Sequence, residues 1–95
     1  MRSDRRKDQR IHTAFPVRLE NATGITRDVS ASGVFFFFWA GGGWAPGERI
    51  SFAVEISRPV GTMKLNCQGE IIRTESRDAM VGVAVRVTES AMQRV

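Results

Sequence analysis

The sequence is short of the residues that build reactive centres and covalent frames. It has one cysteine, Cys67, and one histidine, His12. A lone cysteine excludes an internal disulfide and any thiolate zinc site, and a lone histidine excludes a multi-histidine metal centre. Cys67 falls within an alternating apolar stretch and reads as a small buried hydrophobe. Leucine occurs only at positions 19 and 65, which argues against a helical bundle. The polar N-terminus is not followed by an apolar run of the kind a secretory leader requires. The longest apolar run, Val34 to Ala40, falls far short of the roughly 20 residues that a membrane-crossing helix needs. These absences set the expectation of a cytoplasmic protein with no membrane insertion.

Enzymatic chemistry is also poorly provided for. A serine nucleophile needs a base, and the single histidine lies at the end of a charged N-terminal arm. The carboxylates are scattered over turns and polar strand faces rather than paired. Gly41 to Gly43 is not followed by Lys-Ser/Thr or by a helix, so it does not make a phosphate-cradling loop. We therefore expect a non-catalytic protein, with no catalytic residue, no metal ligand and no cofactor.

What is present favours strands. The 95 residues suffice for one domain with a single core, and six phenylalanines, two tryptophans and many β-branched residues suit pleated structure. Phe15, Val17 and Leu19 alternate with polar partners, with Pro16 marking an edge or strand start. Turn chemistry at Asn21 to Gly24 closes a hairpin onto Ile25 to Val29. Val34 to Trp39 is apolar at every position. Val34, Phe36 and Phe38 share one face and Phe35, Phe37 and Trp39 the other, so both faces need cover: the core on one side, and a helix, a second protomer or a ligand on the other. Ile50 to Ile56, Met63 to Gln68 and Val81 to Val87 alternate cleanly, Ala40 to Gly47 is a flexible loop, Arg58 to Gly61 is a turn, and Gly69 suggests a bulge before Ile71. Thr88 or Ser90 could cap a short helix. The pattern predicts an all-β, six- to seven-stranded antiparallel barrel or sandwich over 14–88, with a flexible basic arm over 1–13 and a tail or the start of a helix over 89–95.

Charge is concentrated in that arm. Residues 1–10 carry five basic and two acidic side chains, net +3, against a total of +4, so the rest of the chain is nearly neutral. Arginine outnumbers lysine twelve to two, which favours forked hydrogen bonding and stacking over simple point charge. Arg6 and Arg10 are spaced to reach one ligand, where guanidinium groups can grip phosphate, stack on a base or meet the O6/N7 edge of guanine. Further on, Asp28-Val29-Ser30-Ala31-Ser32-Gly33 ends a strand in a polar turn. The Asp28 carboxylate can accept from guanine N1 and N2, and Ser30 can complete a base or phosphate contact. Gly33 allows a positive φ or a close backbone approach. The bland reading is a solvated tail and an ordinary strand-end turn.

Together these two stretches resemble the hallmarks of PilZ domains, bacterial receptors for cyclic di-GMP: an R-x-x-x-R arm, here Arg6 to Arg10, and a D/N-x-S-x-x-G turn, here Asp28 to Gly33. The similarity continues through Phe15 to Leu19, Ala45 to Glu48, Gly69 to Arg73 and Val81 to Val85. It implies a six-stranded barrel followed by a helix, with cyclic di-GMP lying across the barrel and wrapped by the arm. Arg6 and Arg10 would bind phosphates and guanine, while Asp28, Ser30 and Gly33 would form the guanine-facing turn. Arg5 is often arginine in the family, where it favours a stacked ligand dimer. The implied function is a non-catalytic receptor or adaptor. Ligand would order the arm and alter binding to a downstream protein, such as motility, secretion or polysaccharide machinery. The chain departs from the family in its Phe35 to Trp39 run and its curtailed helix. The alternative is accordingly a PilZ-like interaction domain that binds no nucleotide and uses that aromatic strand to hold a partner or form a homodimer. Nonspecific nucleic-acid binding fits poorly with the neutral body.

Overall fold

A computed structural model describes residues 14–19, 22–39 and 43–94. The arm with Arg5, Arg6, Arg10 and His12, and the loop residues Glu20, Asn21, Ala40, Gly41 and Gly42, lie outside the described residues.

The described chain is all strand: β1 (Pro16–Arg18), β2 (Thr23–Val29), β3 (Gly33–Trp39), β4 (Arg49–Arg58), β5 (Gly61–Arg77) and β6 (Met80–Arg94). They form a closed antiparallel barrel in the order β1-β2-β3-β6-β5-β4, with β1 pairing both β2 and β4. Pro16 opens β1, the place where a missing N–H costs least. Beyond it, Phe15 continues the ladder through its own amide and carbonyl, bonded to Thr26 Oγ1 and Thr26 N–H, each at 2.9 Å. Those bonds serve a buried threonine, only 3% exposed.

Alternation drives the core. Val17, Val34, Phe36, Phe38, Phe52, Val54, Ile71, Val83 and Val85 point inward and are all but inaccessible. Phe36 packs edge-on against both Phe38 and Phe52, with ring centroids 4.9 and 5.1 Å apart. Trp44 lies over Phe38 at 4.5 Å and closes that end of the barrel. The loop carrying Trp44 is tied down by the Ala45 to Glu48 turn. There Gly47 takes φ 93°, the third-position requirement of a type II turn after proline, and bonds through its N–H to the Ile71 carbonyl at 2.7 Å.

β5 is one 17-residue strand rather than two, because its irregularities at Gln68/Gly69 and Ile71/Arg73 bend it without ending it. An irregularity is thus present at Gly69 as expected, although its extra residue is Thr88 on β6, and a second one adds Ile72 to β5; the six-strand count follows. The predicted tail or helix over 89–95 is corrected: residues 89–94 continue β6 and pair with 63–68 of β5. Seven or so residues make a marginal helix, whereas the free edge of β5 offers ladder hydrogen bonds immediately. Thr88, a candidate cap, instead donates its hydroxyl to the Gln68 carbonyl at 3.1 Å, and Asn66 donates to Gln93 at 2.9 Å.

Cys67 sits in the β5 wall, 3% exposed, and burial pushes its thiol from 9.0 up to about 11. It should resist a thiol-specific disulfide reagent at pH 8 in the native state and react only on unfolding. Because the folded state holds the proton more tightly, stability should be insensitive to this group below pH 9. It should then fall by about 2–3 kcal/mol between pH 9 and 11. Denaturation across that range should show the decline in the wild type and not in Cys67→Val.

Candidate surface site on the β2–β3–β6–β5 face

β2 does not keep the simple alternation its sequence suggests. Thr26 pairs with Phe36 and Asp28 with Phe35, so Arg27 is an extra residue in a β-bulge. Without that bulge, Asp28 would stand opposite Val34 and face the core. The inserted residue turns the carboxylate onto the outer face beside Phe35, a common use of bulges. Asp28 is nevertheless only 4% exposed there, and Arg27 Nε donates to its Oδ2 at 3.1 Å.

The next residues form a closed turn. Ser30 N–H donates to the Gly33 carbonyl at 2.8 Å, and the Ser30 hydroxyl both accepts from Gly33 N–H and donates to the Gly33 carbonyl, each at 3.1 Å. Val87 N–H, from β6, donates to the Ser32 carbonyl at 2.9 Å and ties the turn to the barrel. Gly33 has no positive φ. It makes a close approach instead, since a Cβ there would lie 3.2 Å from the Val85 carbonyl, a contact that the neighbouring strand would have to relieve. Ser30 is therefore first a turn-closing residue, with its hydroxyl already engaged in this state.

The registers lay out a row across four strands: Asp28 on β2, Phe35 on β3, Ala84 on β6 and Arg73 on β5. A parallel row runs Ile25, Phe37, Gly82 and Glu75. Phe35 points outward yet is 4% exposed. The Arg27 guanidinium lies 4.1 Å from its ring centre and that of Arg73 5.5 Å away. Its edge meets Phe37 at 5.3 Å. The aromatic rings lean over Gly82, where an added Cβ would come within 2.8 Å of Phe35 Cζ. The outer cover that β3 requires is thus supplied at Phe35 by two of the chain's own arginines and a bare stretch of β6, rather than by a helix. Arg73 is held from its other side by Glu75 at 3.1 Å. At the turn end, Arg86 stands opposite Gly33 and pairs with Glu70 at 2.6 Å.

Asp28, Ser30 and Gly33 are therefore together on one surface, with Arg27 and Arg73 beside them. Neither of those arginines stood out as a site residue in the sequence. Arg73 reaches the row only through the β5 irregularities, which no spacing reveals, whereas the adjacency of Arg27 to Asp28 was visible. The site is a surface. A concavity of about 900 Å³ opens elsewhere, lined by Arg18, Trp44, Ile50, Lys64, Asn66 and Cys67 among others, and includes none of Asp28, Ser30 and Gly33. Among the described residues no cluster of three or more potential metal ligands occurs, and no helix is long and apolar enough to cross a membrane.

The family model for the PilZ domain matches residues 4–95. The chain belongs to the PilZ domain family. That is a family of cyclic di-GMP receptors and adaptors, generally non-catalytic. The fold agrees with the Bacillus subtilis inhibitor of motility, MotI/DgrA, at a TM-score of 0.79 and 16% sequence identity. The match covers 96% of this chain and 46% of that one, so this chain spans just under half its length. No curated protein matches the sequence.

The crowding over Gly82 gives a direct test. Gly82→Val should displace the Phe35 and Phe37 rings and destabilise the PilZ barrel by about 1–3 kcal/mol, measured by urea denaturation. A neutral result would mean that the rings do not rest on β6.

Proposed function

We propose that this PilZ domain is a non-catalytic cyclic di-GMP receptor, in which ligand bridges the arm arginines and the Asp28 to Gly33 turn. The observation that carries the reading is the bulge at Arg27. It puts the Asp28 carboxylate on the outer face of the barrel, in one row with Phe35 and Arg73 and next to a turn tied to β6. A carboxylate there can accept from the two guanine donors, and Gly33 adds no side chain beside it. The R-x-x-x-R arm supplies charge for the phosphates, with Arg6 and Arg10 as their ligands and Arg5 favouring a stacked ligand dimer. Ordering of the arm against the barrel would change the surface offered to a downstream protein. The similar fold of an inhibitor of motility makes motility machinery the first class to test, ahead of secretion or polysaccharide machinery.

Calorimetry with cyclic di-GMP should show saturable micromolar or tighter binding, weakened about 10- to 100-fold by Arg6→Ala, Arg10→Ala or Asp28→Ala, the scale of one lost charge-assisted hydrogen bond. The stoichiometry should fall from two ligands to one in Arg5→Ala. Absence of saturable binding, or binding indifferent to all three alanine changes, would refute the receptor reading.

A second reading has one observation of its own. Trp39 is 68% exposed and Ile25 41%, on the same outer face as half-buried Phe37. Phe35, Phe36 and Phe38 are buried, so an interface on this strand reduces to Trp39 and its neighbours. If that patch holds a protein partner or a second copy, Trp39→Glu should abolish self-association or partner capture in sedimentation measurements while leaving nucleotide affinity unchanged.

A further inference from the structure

Resting on the receptor reading, we propose that Arg27 is a positioning residue that sets guanine specificity by fixing the Asp28 carboxylate. In a regular strand, consecutive side chains point to opposite faces and cannot meet. The bulge removes that separation, so Arg27 Nε reaches Asp28 Oδ2 at 3.1 Å although the two are neighbours in sequence. Arg27 is itself pinned, because its guanidinium lies 4.1 Å from the centre of the Phe35 ring. Phe35 is fixed in turn by the edge contact with Phe37 and by the floor at Gly82. The carboxylate orientation is thus passed outward from the barrel wall through ring, guanidinium and carboxylate.

The chemistry favours arginine specifically. Nε–H and the planar face act at right angles to each other, so one side chain can stack on a ring and donate sideways to a carboxylate. A lysine in that place keeps the charge but has neither the in-plane donor nor the stacking face. A carboxylate oxygen has lone pairs for more than one donor, so the Arg27 bond and bonds from guanine N1–H and N2–H are compatible. The 51% exposure of Arg27, against 5% for the Asp28 side chain, puts the guanidinium on the solvent side of the pair, so a base reaches the carboxylate only past it. Arg27 therefore governs which purine Asp28 accepts more than how tightly phosphate is held. Adenine presents no N1–H or N2–H and can offer an aligned carboxylate only its N6 amino group, so it loses the paired donation that guanine makes.

The test is calorimetry of the full chain with cyclic di-GMP and cyclic di-AMP, on the wild type, Arg27→Ala, Arg27→Lys, Asp28→Ala and Arg27→Ala/Asp28→Ala, with thermal melts to confirm folding. Arg27→Ala should cut the selectivity for cyclic di-GMP over cyclic di-AMP by about tenfold. Arg27→Lys should recover affinity in part without recovering selectivity, and the double variant should be no less selective than Asp28→Ala alone. Equal weakening toward both dinucleotides, full recovery of selectivity by lysine, or strict additivity in the double variant would overturn the proposal while leaving the receptor reading intact. Failure of the wild type to bind either dinucleotide would overturn both.

Discussion

A strand that is apolar on both faces is the constraint from which the rest of this barrel follows. β3 lies between β2 and β6 and contributes Val34, Phe36 and Phe38 to the core, where their burial supplies much of the drive for closure. Its other face cannot be left to water without cost. The solution is local: glycine and alanine on β6 make a floor for Phe35 and Phe37, and guanidinium groups from β2 and β5 lie against Phe35. Cation–π contacts of this kind contribute about 0.5–1 kcal/mol at exposed sites and more where water is excluded. The aromatic requirement therefore recruits the two arginines that end up beside Asp28.

The same residues serve the packing and the placement of Asp28. Phe35 is at once the ring that must be covered and the residue opposite which Asp28 is seated. One bulge residue, Arg27, performs the covering and turns the carboxylate outward. The Ser30 to Gly33 turn is closed by its own serine and anchored to β6, so the edge of the surface is held by hydrogen bonds rather than by side-chain bulk. The cationic charge that would bring an anionic ligand to it is carried mainly by residues 1–10.

Much of this was legible in the chain, and the reasons differ by element. β4 and the first half of β6 could be read because period-two alternation maps directly onto a wall with one wet side. The irregularity at Gly69 was legible because a glycine inside an alternating strand is itself a signal, and a Cβ there would strike the Arg86 carbonyl at 2.5 Å. The bulge at Arg27 was not, since arginine is an ordinary strand residue and nothing local distinguishes it. The tail misled because its caps and length suit a helix weakly, whereas its actual partner, the far edge of β5, is more than twenty residues away in sequence.

By itself the sequence determined the strand content, the inward set of valines and phenylalanines, the absence of disulfide and thiolate-metal chemistry, and the paired motifs that mark the family. These are local properties of residue type and spacing, and they survive without knowledge of neighbours. Only the tertiary structure decided that Asp28 faces outward, that Phe35 is capped by Arg27 and Arg73, and that residues 89–94 are strand. Each depends on register between segments distant in the chain, and a shift of one residue in an antiparallel ladder exchanges the faces of every side chain beyond it.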